Sequence, residues 1–173
     1  MQPSSPKLSA QPRHDSQPAP QAGTPGLSIH IEIASQTLEL KQGPLSIGAF
    51  PISSSAWGLG HEEGSNKTPI GRFRICQKIG HGAPQGMVFK SRVQTGQIGT
   101  EEDPADLVQT RILWLEGAES HNANTRSRYI YIHGTNHESR IGSPCSHGCI
   151  RMRNADIIAL FDLVDEGAEV VIA

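Results

Sequence analysis

Apolar and polar side chains alternate in short runs along most of this chain, and only one stretch has helical spacing. Leu27-Ser28-Ile29-His30-Ile31-Glu32-Ile33 alternates with period two, as a strand with one buried face does. Ser35-Gln36 turns the chain, and Thr37-Leu38-Glu39-Leu40 pairs back as a hairpin. Gln42-Gly43-Pro44 turns it again into a third strand over Leu45–Ile52. Ile70–Ile75 alternates with Phe73 and Ile75 inward, and Met87-Val88-Phe89 makes a short strand that follows. Arg111–Leu115 is apolar on both faces and predicts a central strand. Tyr129–Ile132 alternates once more, sending Ile130 and Ile132 to one face and Tyr129, Tyr131 and His133 to the other. The single helix starts at Asn154 as cap, with Asp156 in its first turn and Ile157, Leu160, Phe161 and Val164 on one stripe. Gly167 ends this region, and Glu169–Ile172 is the last strand.

The intervening segments read as loops. Ser53–Pro69 is long enough to be functional. Ile79–Gly86 is glycine-rich, with His81 exposed, and Gln94–Asp106 is acidic, ending in one helical turn at Pro104–Leu107. Gly117–Ser127 completes the set, with His121 at the surface. The pattern predicts a mainly β fold: a β-rich sandwich or barrel-like domain with one C-terminal packing helix.

Composition changes this picture in two places. Eighteen glycines and twelve prolines argue for many turns and against a helical bundle. Half of those prolines fall within residues 1–26, among Gln, Ser and Ala, a composition that cannot bury enough apolar surface to order itself. The expected organisation is therefore a disordered tail over 1–26 and one domain over 27–173. A net charge of −2, with no basic stripe, gives no electrostatic case for nucleic acid or an anionic membrane. No apolar run reaches membrane-spanning length. Residues 1–26 lack the basic start and the apolar core of about seven to fifteen residues of a secretory signal. The expected location is the cytoplasm, or the periplasm if a native signal is missing from this chain.

The candidate chemistry lies in Tyr129–Met152, YIYIHGTNHESRIGSPCSHGCIRM. A cysteine attacks as thiolate, and a free thiol of pKa ~8.5 needs a base. Cys149 is the candidate nucleophile. His133, on a strand, is the favoured base, and His147 supports it. Gly134 and Gly148 follow these histidines and allow close backbone approach, which at Gly148 suits amides aimed at an oxyanion. Arg151 offers a planar fork for a substrate carboxylate and would favour the thiolate. Three cysteines are too few for a disulfide framework, and Cys76 reads as a buried strand residue.

His133-Gly134 and Ser146-His147-Gly148-Cys149-Ile150-Arg151-Met152 resemble the signature of the L,D-transpeptidase catalytic domain (YkuD-like). Ser65–Gly71 with Phe73, and Asn154-Ala155-Asp156, fit as well. The resemblance covers roughly Leu27–Ala173. It implies a mostly β fold and a cysteine acyl-enzyme that cleaves a peptidoglycan stem peptide between the diamino acid at position three and D-alanine at position four. It makes Cys149 the nucleophile and His133 the base, oriented by the Gly134 carbonyl. It further implies oxyanion amides near His147, Gly148 and Cys149, and substrate contacts from Arg151 and Ser146. It requires no cofactor or metal and implies carbapenem acylation. Cys145 is not part of the signature. With a cytoplasmic location and no polymer there to cross-link, the reading leans to water as acceptor, an L,D-carboxypeptidase of muropeptide recycling. The alternative is an L,D-transpeptidase that cross-links or exchanges D-amino acids in the wall.

Two other classes compete with this reading. Cys145, His147 and Cys149, with His133 or His137, are residue types that zinc accepts, but Cys-x-His-x-Cys is not a usual finger spacing and leaves Arg151 without a task. A non-catalytic wall-peptide module would not need the thiol.

Overall fold

The computed structural model describes residues 26–173. The tail expected over 1–26 thus falls, but for Gly26, outside the described residues. Ten strands and one α-helix follow in order: β1 (Leu27–Glu32), β2 (Thr37–Gln42), β3 (Leu45–Ser53), β4 (Gly71–Ile79), β5 (Met87–Lys90), β6 (Val93–Ile98), β7 (Val108–Gly117), β8 (Tyr131–Thr135), β9 (Ile150–Met152), α1 (Asn154–Leu163) and β10 (Glu169–Ile172).

The sheet runs β4-β10-β1-β2-β3-β9-β8-β7-β5-β6, and an added β4–β7 pairing closes eight of these strands into a ring. The barrel-like architecture expected from the alternation is present. The first three strands form an antiparallel meander, with Ile29 opposite Leu40 and Leu38 opposite Phe50. The C-terminal strand returns beside the first in parallel, Ile29 against Val170, and also pairs with β4. On the other side of the ring β8 and β9 are parallel, and β9 joins β3 through Ile52 and Met152.

One face of each ring strand fills the interior, because side chains two residues apart share a face. Ile29, Ile31, Leu38, Leu40, Phe73, Ile75, Ile132, Ile150, Val170 and Ile172 meet there. Each such side chain contributes roughly 1.5–3 kcal/mol by leaving water. The helix stripe Ile157-Leu160-Phe161 joins the same core, with α1 lying against β7 and β8. A second apolar cluster, Ala83, Met87, Phe89, Ile112 and Tyr131, packs on the opposite face of β7 and β8. The predicted separation of Ile130 and Ile132 from Tyr131 is therefore seen.

Several elements differ from expectation. The start of the expected Gln94–Asp106 loop belongs to a strand, Val93–Ile98, exposed throughout, so burial had left no alternation to read. It is joined to β5 by Ser91 and Arg92, both at positive φ (49° and 68°), a tight turn made without the usual Asn-Gly signal. No helical turn forms at Pro104–Leu107. The fourth strand runs on to Ile79, past a register shift between Ile75 and Gln77 that leaves Cys76 unpaired and half-buried. Tyr129 lies outside β8, exposed and at φ 56°. Asn154 is not the helix cap: Arg153 holds that position, and the Glu138 carboxylate accepts the Asn154 N–H at 2.6 Å. The Asn154 side chain instead bonds the Thr135 carbonyl, Thr110 and Gln109 beneath the helix, because it is buried against β7 and β8.

Candidate active site

The parallel pair β8–β9 brings the signature residues together. His133 is the register partner of Arg151, and Cys149 immediately precedes β9. The Cys149 thiol accepts the Tyr131 N–H at 3.3 Å and donates to the Tyr129 carbonyl at 3.4 Å, and it packs against the cluster containing Tyr131. No hydrogen bond joins Cys149 to His133. His133 is buried, and its Nδ1–H donates to its neighbour's carbonyl, Gly134 O, at 2.6 Å. That bond fixes the tautomer and leaves Nε2 with the lone pair. Gly134 must be glycine: a Cβ there would sit 2.3 Å from Asn154 Oδ1 and 2.8 Å from the Gln109 carbonyl.

The turn before Cys149 is built by buried side chains. Ser146 Oγ donates to Cys149 O at 2.5 Å and accepts the Gly148 N–H at 3.2 Å. Ser146 is itself buried, so it shapes the turn and does not face a substrate, which corrects the contact role expected for it. Gly148 has φ 121°, open to glycine and not to L side chains, and its carbonyl accepts Thr68 Oγ1 at 3.0 Å. With the Gly148 amide taken, the amides of His147 and Cys149 remain as candidate oxyanion donors. The 54–70 loop lies against this turn: Ser54 O accepts the N–H groups of Cys145 and Ser146 at 2.8 and 2.9 Å.

Arg151 departs most from expectation. It is 1% exposed; its guanidinium is ion-paired with Asp106 and donates to Cys145 Sγ at 3.4 Å. The fork expected to grip a substrate is thus already occupied. Asp106 also bonds His147 Nδ1 at 3.1 Å, and the His147 ring packs on Trp57 with centroids 4.7 Å apart. Asp106 is placed by the loop before β7, which Asn136 ties down. The Asn136 amide donates to the carbonyls of Asp103 and Ala105 at 3.0 and 2.9 Å, and its Oδ1 accepts the Leu107 N–H at 3.0 Å. Sequence reasoning assigned no role to Asp106, Asn136 or Arg128, which lie in or beside loops, and placed Thr68 only within the Ser65–Gly71 segment without a partner.

Electrostatics correct a second expectation. Burial pushes the Cys149 thiol up to about 11; the Tyr131 N–H opposes this, Asp106 adds to it, and Arg151 and Arg128 oppose it. Burial holds His133 below its ordinary value of 6.5, against the raising influence of the Gly134 carbonyl and Asp106, while Arg151 lowers it further. Both directions favour the neutral thiol and neutral imidazole over the expected ion pair. Among the described residues no three His, Cys, Asp or Glu side chains converge as metal ligands.

Residues 27–172 match the YkuD family model, described as the L,D-transpeptidase catalytic domain. Curated relatives that carry an L,D-transpeptidase name match over short segments. YqjB of Bacillus subtilis (strain 168) is 44% identical over 48 residues, 28% of this chain and 27% of that protein. YbiS of Escherichia coli (strain K12) is 51% identical over 43 residues, 25% of this chain and 14% of that protein. The matches thus span about a quarter or less of these relatives' length. Among solved structures, the L,D-transpeptidase (residues 123–326) of Xylanimonas cellulosilytica superposes with TM-score 0.57 at 19% identity, covering 88% of this chain and 63% of that one. L,D-transpeptidase 3 of Mycobacterium tuberculosis, in complex with a faropenem-derived adduct, superposes with TM-score 0.56 at 18% identity, covering 86% and 60%. At these identities the superpositions establish the fold.

Proposed function

The chain belongs to the L,D-transpeptidase catalytic domain family, enzymes of peptidoglycan metabolism, and we propose that Cys149 is the nucleophile of an acyl transfer on a peptidoglycan stem peptide. The bond broken joins the diamino acid at position three to D-alanine at position four. One observation carries the reading: a thiol held by Tyr131 and Tyr129 immediately before β9, on the strand pair that also carries a buried imidazole whose Nδ1–H is fixed on Gly134 O, leaving Nε2 to take a proton.

From a neutral pair, attack and proton transfer go together. Sγ bonds to the carbonyl carbon as its proton passes to His133 Nε2, and the oxyanion forms beside the His147 and Cys149 amides. The C–N bond then breaks, the imidazolium returns the proton to the leaving amine, and D-alanine departs from a Cys149 thioester. An acceptor attacks that thioester, gives its proton to His133, and the thiol is regenerated. Water as acceptor makes the protein an L,D-carboxypeptidase; an amine makes it a transpeptidase. A carbapenem would stop at the acyl-enzyme; a structural relative, the L,D-transpeptidase LdtMt1, is held in complex with imipenem.

Product analysis tests the reading. The protein is incubated with a tetrapeptide stem, with and without excess free D-amino acid, beside a Cys149→Ala variant. Tripeptide alone assigns hydrolysis, and exchanged or cross-linked peptides assign transfer. No Cys149-dependent product, and no mass adduct on Cys149 with imipenem, would overturn it.

A further inference from the structure

Resting on the acyl transfer just proposed, we infer that Arg128, and not Arg151, holds the carboxylate of the peptide substrate. Arg151 is sealed in the fold with a carboxylate already against it, Asp106. Arg128 has the opposite setting. Its Nη1 donates to the Gly60 carbonyl at 3.2 Å, and its Nη2 to the Lys67 carbonyl at 2.7 Å and Ser65 Oγ at 3.5 Å, all neutral acceptors. Among the described residues no acid stands within ion-pair distance of it. These bonds hold a half-buried guanidinium in one orientation while leaving its charge without a direct counter-ion.

The place of that charge fits a substrate role. Arg128 lines a cavity of about 290 Å³ with Asn66, Tyr129, Ile130, His147 and Glu63. Tyr129 is on this wall and its carbonyl accepts the Cys149 thiol at 3.4 Å, so one residue separates the cavity from the nucleophile. Its volume is at the small end for ligand sites and suits one amino-acid residue and its carboxylate. Glu63 is the acid on the wall, exposed and not bonded to Arg128. A planar guanidinium fixed on neutral acceptors, beside the nucleophile, matches a carboxylate better than any other group of a stem peptide. The carboxylate can come from the terminal D-alanine or, in a stem whose diamino acid carries one, from that side chain.

The test uses three tetrapeptides: one with both carboxylates free, one with a terminal carboxamide, and one with the diamino acid side chain amidated. Cleavage of each is followed with the unsubstituted protein and with Arg128→Gln and Arg128→Lys. The expected result is that the unsubstituted protein disfavours one of the two amides. Arg128→Gln then raises KM for the free acid by about tenfold or more, with little change in kcat, and abolishes that preference, while Arg128→Lys keeps part of it. The amide disfavoured identifies the carboxylate. An unsubstituted protein indifferent to both amides would overturn the inference. So would an Arg128→Gln protein whose preference persists while all three rates fall together, because Arg128 would then only staple the 54–70 loop. A protein that cleaves none of the peptides speaks against the acyl-transfer reading; calorimetric binding of the three peptides to Cys149→Ala then reads the same preference independently.

Discussion

The Asp106 carboxylate bridges the buried Arg151 guanidinium and His147 Nδ1, and so ties both flanks of Cys149 to a loop more than forty residues earlier in the chain. Removing that carboxylate has two consequences of predictable sign. Asp106→Asn leaves Arg151 buried without its counter-charge; since Asp106 is about one-third exposed and water can screen part of the loss, the expected destabilisation is about 1–3 kcal/mol, read as a lower midpoint in denaturant. In the folded variant the Cys149 thiol loses a negative neighbour and feels Arg151 uncompensated, so its pKa falls. Alkylation of Cys149 by iodoacetamide should then accelerate at lower pH than in the unsubstituted protein. An unchanged or raised profile would show that Asp106 does not act on the thiol.

The pH dependence of acylation follows from the neutral resting pair. The working form needs His133 unprotonated, and burial holds its pKa below 6.5. Activity should therefore be level through neutrality and fall only in acid, with a half-point below 6.5. The thiol stays protonated until about 11, so no loss from its ionisation is expected before strongly alkaline pH. A stopped-flow profile with imipenem between pH 5 and 10 measures this. A half-point above 6.5, or a rise through pH 8–9 like that of a free thiol, would mean that the thiolate is formed before attack.

The same two groups set a stability signature. His133 is lower in the folded than in the unfolded chain, so below 6.5 the unfolded state takes up the proton first and stability declines with acid until the folded imidazole also titrates. Cys149 is the reverse: the unfolded thiol ionises near 9.0 and the folded one near 11, so stability declines as pH rises through that interval. Urea midpoints from pH 5 to 11 should show both shoulders, and Cys149→Ala should shrink the alkaline one, leaving the part that Cys76 and Tyr131, both also raised by burial, contribute. An undiminished shoulder in Cys149→Ala would assign it wholly to other groups.

How far the sequence carried depended on burial. Strands with one face in the core, such as Ile29-Ile31 and Val170-Ile172, announced themselves by period two, and the ring they form was legible as a barrel-like β domain. The wholly exposed Val93–Ile98 had no core to imprint a pattern, and the Cys76 bulge broke the period where the strand continued. At the site, residues adjacent in sequence to Cys149 and His133 were found, since local spacing carries that information. Roles that depend on distant partners were not. Arg151 looked like a free fork because nothing near it in sequence reveals Asp106, and Asn136 looked like a loop residue although it holds the segment that delivers Asp106.

Asn136 gives a prediction independent of any titration. Its buried amide makes bonds to three carbonyls and one N–H of the 100–107 segment. Asn136→Ala should cost about 2–3 kcal/mol, since net values near 1 kcal/mol per bond are partly recovered when water reaches the freed carbonyls. Hydrogen exchange should accelerate across 100–107 and leave β1 and β2 protected. If protection across 100–107 were unchanged, the loop would be held by other contacts and Asp106 would not depend on Asn136.

Gly148 and Ser146 test the turn that presents the nucleophile. At φ 121° an alanine in place of Gly148 is strained by about 1–3 kcal/mol. Its Cβ would also approach the Lys67 carbonyl and the Ile130 side chain to 3.3 Å. Relief requires a change of φ at 148, which turns the peptide between His147 and Gly148, breaks the Gly148 N–H bond to Ser146 Oγ and displaces the turn that presents Cys149. Gly148→Ala should therefore lose both stability and acylation. Ser146→Ala should separate the two, because it frees the Gly148 N–H and the Cys149 carbonyl without adding bulk. Its expected stability loss is about 1–2 kcal/mol, and the acylation rate by imipenem should fall further than that loss alone dictates under conditions where the variant is fully folded. Acylation at the unsubstituted rate in folded Ser146→Ala would show that the Ser146 bridge supports the fold and not the placement of the nucleophile.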